Sequence, residues 1–219
     1  MDWTATAETG LRERKKRQTR QLLTDIATEM FLERGFDAVR VAEIAAVCGV
    51  SEKTVFNYFP TKEALILDHA DTAMAALGTA LADPARTPVD AVVAILAGEL
   101  TALLAWLDSQ ADPVAATARL QRFRAMIDDT PALRAYQRDK QDQLVTVAAT
   151  ELAARAGSGP DDPEARIAAT ALVGLWPVQF ASLRRHLDGT RTSARVRRAV
   201  TADVRRAARL LERGLATLA

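Results

Sequence analysis

Apolar side chains recur along this chain with the three- and four-residue spacing that lines one face of a helix. Over residues 17–34, Leu22, Leu23, Ile26, Ala27, Met30 and Phe31 form such a face, and Gly35 follows as a stop signal. Val41, Ile44, Ala45 and Val47 repeat the pattern over two turns that close on Gly49. Ser51 stands where a cap belongs and opens a third short helix ending near residue 58. Two short helices joined by Cys48, Gly49 and Val50 have helix-turn-helix spacing. Pro60 ends this unit, because its ring excludes further helix and restricts Phe59 to extended backbone. Thr61 then caps a fourth helix expected to run to residue 82.

Beyond the connector "DPARTP", residues 89–107 are strongly apolar, and further helices are predicted over 114–127, 131–156, 163–187 and 193–218. The expectation is an all-α fold of about nine helices in two parts. Residues 12–67 form an N-terminal three-helix domain, and 68–219 form a C-terminal helical domain. Residues 167–183 are apolar nearly all round, so that helix must be covered on both faces. Pro177 leaves the Val173 carbonyl without its usual partner and predicts a kink there. In the last helix Val196, Val200, Val204, Ala208, Leu211, Leu215 and Leu218 form one stripe. It serves either packing within the subunit or pairing with a second copy.

Composition narrows the class. With 49% hydrophobic residues in 219, the chain can bury a core without staples. The single Cys48 has no disulfide partner, which points to a reducing compartment and hence the cytoplasm. No apolar leader opens the chain. The longest uncharged run, 167–183, contains Pro177 and Gln179 and falls short of a span of about 20 apolar residues, so no membrane partner is expected. The net charge is only +1, yet "LRERKKRQTR" at 11–20 sets Arg12, Arg14, Lys15, Lys16, Arg17 and Arg20 against one Glu. Such an arm is either a solvated charge run or a patch for a polyanion. His69 and His186 lie far apart, and no zinc-protease, phosphate-loop or nucleophile-elbow motif occurs. An enzyme reading has nothing positive behind it, and neither a metal site nor a cofactor is expected.

A two-turn helix fits a major groove, and its N-terminal residues reach base edges. Glu52, Lys53, Thr54 and Asn57 are the candidates, with Val55, Phe56 and Phe59 expected to face the core. The stretch "GFDAVRVAEIAAVCGVSEKTVFNYFPTKEAL" resembles the DNA-binding domain of TetR-type transcriptional repressors, in register over roughly residues 12–67. The resemblance implies phosphate contacts from Tyr58 and Lys62, with Arg17 and Arg20 as candidates on the arm. Arg40 departs from the Thr common in the family, which removes a helix cap and offers a cation. Cys48 replaces the usual small residue before the turn and is expected to be buried and inert rather than a redox sensor.

In such regulators the last two helices pair between subunits. This makes Leu172, Leu183, Val196, Val200, Val204, Leu211 and Leu215 the candidate dimer interface. Two reading helices one turn apart, about 34 Å, suit a palindromic duplex operator. Trp106, Phe123, Met126, Tyr136, Trp176, Gln179 and Phe180 are candidates to line an effector cavity, although such a residue taken singly is more often plain core. The C-terminal part is also similar to mycofactocin-associated TetR-type regulators, which implies an acyl-CoA-like ligand. Arg119 and Arg122 would then meet phosphates, as would Arg124, unless they form a solvated face. The expectation is a homodimeric repressor released from its operator by a small apolar effector. The alternative is a non-specific DNA-binding protein without a ligand switch.

Overall fold

The computed structural model describes residues 3–68, 70–159 and 161–214, and among them it contains eleven helices and no strand. The helix start signals in the sequence are placed correctly. Pro occupies the first position of α6 (Pro88–Asp108), α7 (Pro113–Asp129), α8 (Pro131–Ala156) and α9 (Pro163–Val173). A missing N–H costs nothing there, and the residue before α6, α7 and α9 supplies the cap. Thr87 Oγ1 accepts from the Asp90 N–H at 3.1 Å, Asp112 from Val114 at 3.0 Å, and Asp162 from Glu164 at 2.8 Å.

The count of about nine helices is corrected at two breaks. The expected helix over 61–82 is divided into α4 (Ala64–Leu67) and α5 (Ala70–Ala82). Asp68 lies between them, with backbone at φ −85° and ψ 66°, outside the helical region. The expected helix over 163–187 is divided at Gly174 into α9 and α10 (Leu175–His186). That break adjoins Val173, whose carbonyl the Pro177 ring deprives of a donor. At the other end of the chain, α1 (Trp3–Arg34) is longer than its apolar face, because the basic arm is helical too. Its Arg, Lys, Glu and Gln residues are good helix formers, and no Pro interrupts them.

The chain divides into two compact units, and the first is not a simple N-terminal block. It comprises Met1–Asp68 together with Arg122–Tyr136, the end of α7 and the start of α8. Its core joins Leu23, Ala27 and Phe31 of α1 to Phe36, Ile44, Val55, Phe59 and Leu65, and takes Ile127 and Leu133 from the later segment. Phe31 and Phe36 pack with ring centroids 4.9 Å apart at 54°. Phe123, Met126 and Tyr136 rest against this same core. A domain boundary at residue 67 therefore omits a piece of the first unit.

The second unit comprises His69–Gln121 and Gln137–Ala219. The stripe Val92, Leu96, Leu100, Leu104 and Leu107 of α6 runs through its core, which is closed by Leu77 and Leu81 of α5, Leu144 and Leu152 of α8, and Leu172 of α9. Helix α6 and the run Pro163–His186 are long and apolar enough to cross a membrane. Here both direct their leucines into the core.

The last helix, α11 (Ser193–Gly214), changes the expected dimer surface. It packs on α10 and α6, and Val196, Val200, Val204 and Ala208 are buried within their own chain, as are Leu172 and Leu183. A side chain without exposed surface in its own subunit has none left to bury against another. Leu211 is half-buried against the same core, while Leu215, Leu218 and His69 lie outside the described residues. A polar clamp fixes α11 on α10. The Asp203 carboxylate accepts from Ser182 Oγ at 2.7 Å, Arg185 at 3.0 Å and Arg206 at 2.7 Å, with His186 Nε2 at 3.4 Å. The Ser182 hydroxyl leads in holding this carboxyl below its usual range.

Because Val200 has no exposed surface, Val200→Asp is expected to cost about 3 kcal/mol or more by burying an unpaired charge. Thermal denaturation should report loss of a folded second unit, whereas a subunit-interface role would leave a folded monomer.

Candidate nucleic-acid interface

Three short-range devices build the reading unit from α1, α2 (Val41–Val47) and α3 (Glu52–Tyr58). The first is the turn between α2 and α3. Gly49 adopts φ +67°, and the Val50 N–H reaches back to the Ala45 carbonyl at 3.0 Å. A side chain would strain that left-handed backbone. The second is the cap of α3, where Ser51 Oγ accepts from the Thr54 N–H at 3.1 Å and lies 2.8 Å from Thr54 Oγ1.

The third device replaces the cap that Arg40 cannot provide. The Glu43 carboxylate reaches back one turn to accept the Arg40 backbone N–H at 2.8 Å, and its other oxygen accepts from Arg34 at 2.8 Å. The backbone hydrogen bond is the larger cause, and with Arg34 it holds the Glu43 carboxyl down at about 2. A glutamate three residues into a helix is half of a capping box, a signal legible in the sequence at Arg40 and Glu43.

These devices set which face of α3 looks outward. Val55 and Phe59 are buried, while Glu52, Lys53 and Asn57 are exposed as expected. Thr54 is half-buried and tied to its cap. Phe56 corrects the expectation, since its ring is 45% exposed and does not anchor the helix. It shares a face with Lys53 and Asn57, one turn from the first and adjacent to the second. The i, i+3 spacing from Lys53 to Phe56 was the available signal.

The phosphate candidates separate into two groups. Arg17 is exposed on α1 beside Arg14, Lys15 and Lys16, and the Arg40 side chain at the start of α2 is 83% exposed while lying 3.5 Å from the Glu43 carboxylate. Arg20 and Lys62 are committed within the unit instead. The Arg20 guanidinium donates to the Tyr58 carbonyl at 2.8 Å, pairs with the Asp68 carboxylate and stacks 4.3 Å over the Phe59 ring. It ties α1 to the ends of α3 and α4. Lys62 Nζ donates to the Phe36 carbonyl at 2.6 Å and lies 4.2 Å from the Phe36 ring centroid, where loss of water lowers its pKa. Arg20 thus holds the end of the reading helix, and Lys62 ties the segment after it to the turn that follows α1. Tyr58 is half-buried against the core at the end of α3.

Cys48 is half-buried rather than buried, and desolvation raises its thiol pKa, so it stays protonated. The expected effector residues do not share one unit. Arg122, Phe123, Met126 and Tyr136 belong to the first. Trp106, Arg119, Trp176, Gln179 and Phe180 belong to the second, with Trp106 49% exposed and Trp176 and Gln179 buried. Trp176 Nε1 donates to Glu99 at 3.1 Å, and loss of water raises the pKa of that carboxyl.

A capped two-turn helix presenting Lys53, Phe56 and Asn57, beside exposed cations on α1 and α2, defines a helix-turn-helix DNA-binding protein. Comparison with known proteins narrows the class. Residues 23–68 match the description of bacterial regulatory proteins of the tetR family. The transcriptional regulator TcmR of Streptomyces glaucescens is 29% identical over 154 residues, which cover 70% of this chain and 67% of TcmR. MftR of Mycobacterium tuberculosis, named as a mycofactocin biosynthesis transcriptional regulator, is 26% identical over 162 residues, or 74% of this chain and 78% of MftR. LuxR of Vibrio harveyi is 49% identical over 47 residues, 22% of this chain and 23% of LuxR. Residues 23–68 thus form a DNA-binding domain of the TetR type, and over about 70% of its length the chain is similar to transcriptional regulators.

The Glu43 arrangement sets a pH dependence. A carboxyl held at about 2 when folded, against an ordinary value near 4.5, adds stability above that ordinary value. The contribution is lost as pH falls from about 4.5 towards 2. Glu43→Gln is expected to flatten this part of the acid limb in urea titrations run from pH 7 down to 2, with little added change below pH 2.

Proposed function

We propose that this regulator is a cytoplasmic repressor that binds a palindromic operator as a homodimer and leaves it when a small apolar effector occupies the second unit. Residues 12–67 supply the reading domain. Lys53 and Asn57 present hydrogen-bonding groups to purine edges, and Phe56 offers an apolar contact to a thymine methyl. Arg17 and Arg40 meet phosphates, with Tyr58 at the helix end. The observation that carries this reading is the outward face of α3, on which Lys53 and Asn57 are exposed together with the Phe56 ring.

The subunit contact is proposed on the outer faces of α9, α10 and α11. Ile167 is 65% exposed and Leu210 69% exposed. Gly174 is exposed, and Ala171, Val178 and Ala181 are half-buried. Residues 167, 171, 174, 178 and 181 alternate steps of four and three, the seam of a helical bundle. Effector binding is assigned to Trp176, Gln179, Phe180 and Arg119 of the second unit, with the acyl-CoA class suggested by likeness to mycofactocin-associated regulators. Such an effector must favour the conformation with weak DNA affinity, or the equilibrium does not move.

Asn57→Ala and Phe56→Ala are each expected to change which base is preferred at one operator position, by about 1–3 kcal/mol per lost contact. Selection from randomised duplexes followed by anisotropy titration reads this out. Unchanged preference in both would remove the base-reading role, and equal affinity of the parent for operator and random duplexes would favour the non-specific alternative. The double variant Ile167→Glu with Leu210→Glu is expected to sediment as a folded monomer. A variant that stays dimeric would place the subunit contact elsewhere.

A further inference from the structure

Helix α11 has a second face that neither the core nor the proposed subunit contact uses. Seven arginines and two acids give Ser193–Gly214 a formal +5, in a chain whose total is +1. Five of these arginines, Arg195, Arg198, Arg205, Arg209 and Arg213, fall with Ala202 within an arc of about 80° at the helical 100° per residue. At 1.5 Å per residue the line from Arg195 to Arg213 is about 27 Å long. All five are exposed. Among the described residues none of the five side chains has an ion-pair or hydrogen-bond partner. Of the two acids, Asp203 is turned into its clamp with Ser182, Arg185 and Arg206, and Glu212 flanks the line near one end. The line is centred about 100° round the helix from Leu210.

We infer that this arginine line is a second nucleic-acid surface, which holds duplex DNA by its phosphates without reading bases. Guanidinium groups match phosphate bidentately and are more weakly hydrated than ammonium groups, and α11 contains no lysine. A membrane surface fits less well. A basic amphipathic helix binds lipid by inserting its apolar face, and here Val196, Val200, Val204 and Ala208 are buried inside the protein. A second copy of the line would repel it. What remains is a row of positive charge with no apolar anchor, the complement of a phosphate backbone.

The test uses the full chain with Arg198→Gln, Arg205→Gln and Arg209→Gln combined, a change that keeps helix propensity and adds no new charge. Anisotropy against a random-sequence duplex is measured over a salt series. Since each neutralised phosphate contributes about 0.9 to the slope of log affinity against log salt, the slope is expected to fall by about 2 to 3. The preference between two duplexes differing at one operator base should not change, which separates this surface from the reading helix. A combined Arg→Lys variant at the same positions should retain most of the slope, so a misfolded Gln variant cannot mimic the result. An unchanged slope in the Gln variant overturns the proposal. So does loss of the dimer in sedimentation without a slope change. Binding of the parent to phosphatidylglycerol vesicles, abolished in the Gln variant while the DNA slope persists, also overturns it.

Discussion

A seven-residue helix does not hold its shape alone in water, because the first hydrogen-bonded turn orders several residues for one bond. The reading helix α3 is that short, so the rest of the first unit is organised around holding it. Burial of Val55 and Phe59 fixes its rotation, and the Ser51 cap fixes its start. Arg20, by gripping the Tyr58 carbonyl, fixes its end. Only with all three in place does the line of Lys53, Phe56 and Asn57 point outward with a defined geometry. A cation on the basic arm, expected to meet phosphate, is used within the protein to this end.

The same Arg20 also reaches Asp68, the residue at which the expected fourth helix breaks. One guanidinium therefore touches the end of the reading helix and the last residue of the first unit's N-terminal segment. The second unit uses a comparable economy in Asp203, whose carboxylate gathers Ser182, Arg185 and Arg206 and joins α10 to α11. Each unit thus sets its geometry with an apolar core and multiply bonded ion pairs.

Much of the plan was readable along the chain because it is written in local chemistry. Pro at the first helical position after Thr87, Asp112, Thr130 and Asp162 marks four helix starts. Glycines at 35 and 49 mark two stops, since their positive φ is a backbone property that needs no tertiary information. The exposure of Glu52, Lys53 and Asn57 was equally legible, as polar residues on a helix whose other face is apolar. Phe56 was not, because an aromatic ring is assigned to a core by type until the packing shows that Val55 and Phe59 have filled it.

The sequence by itself determined the helical class, the helix-turn-helix spacing and the polar residues exposed on α3, since periodicity, caps and turn glycines act over a few residues. Tertiary structure decided what each apolar stripe packs against and which cations are free. The stripe of Val196, Val200 and Val204 has the spacing of a subunit seam, and periodicity cannot distinguish a partner helix in the same chain from one in another. Burial against α10 and α6 settles that it belongs to its own subunit. Arg20, by its place on the basic arm, and Lys62, by the resemblance, read as phosphate ligands, yet their distances to Tyr58, Asp68 and Phe36 make them struts. Charge is a property of the residue, whereas availability depends on neighbours distant in the chain.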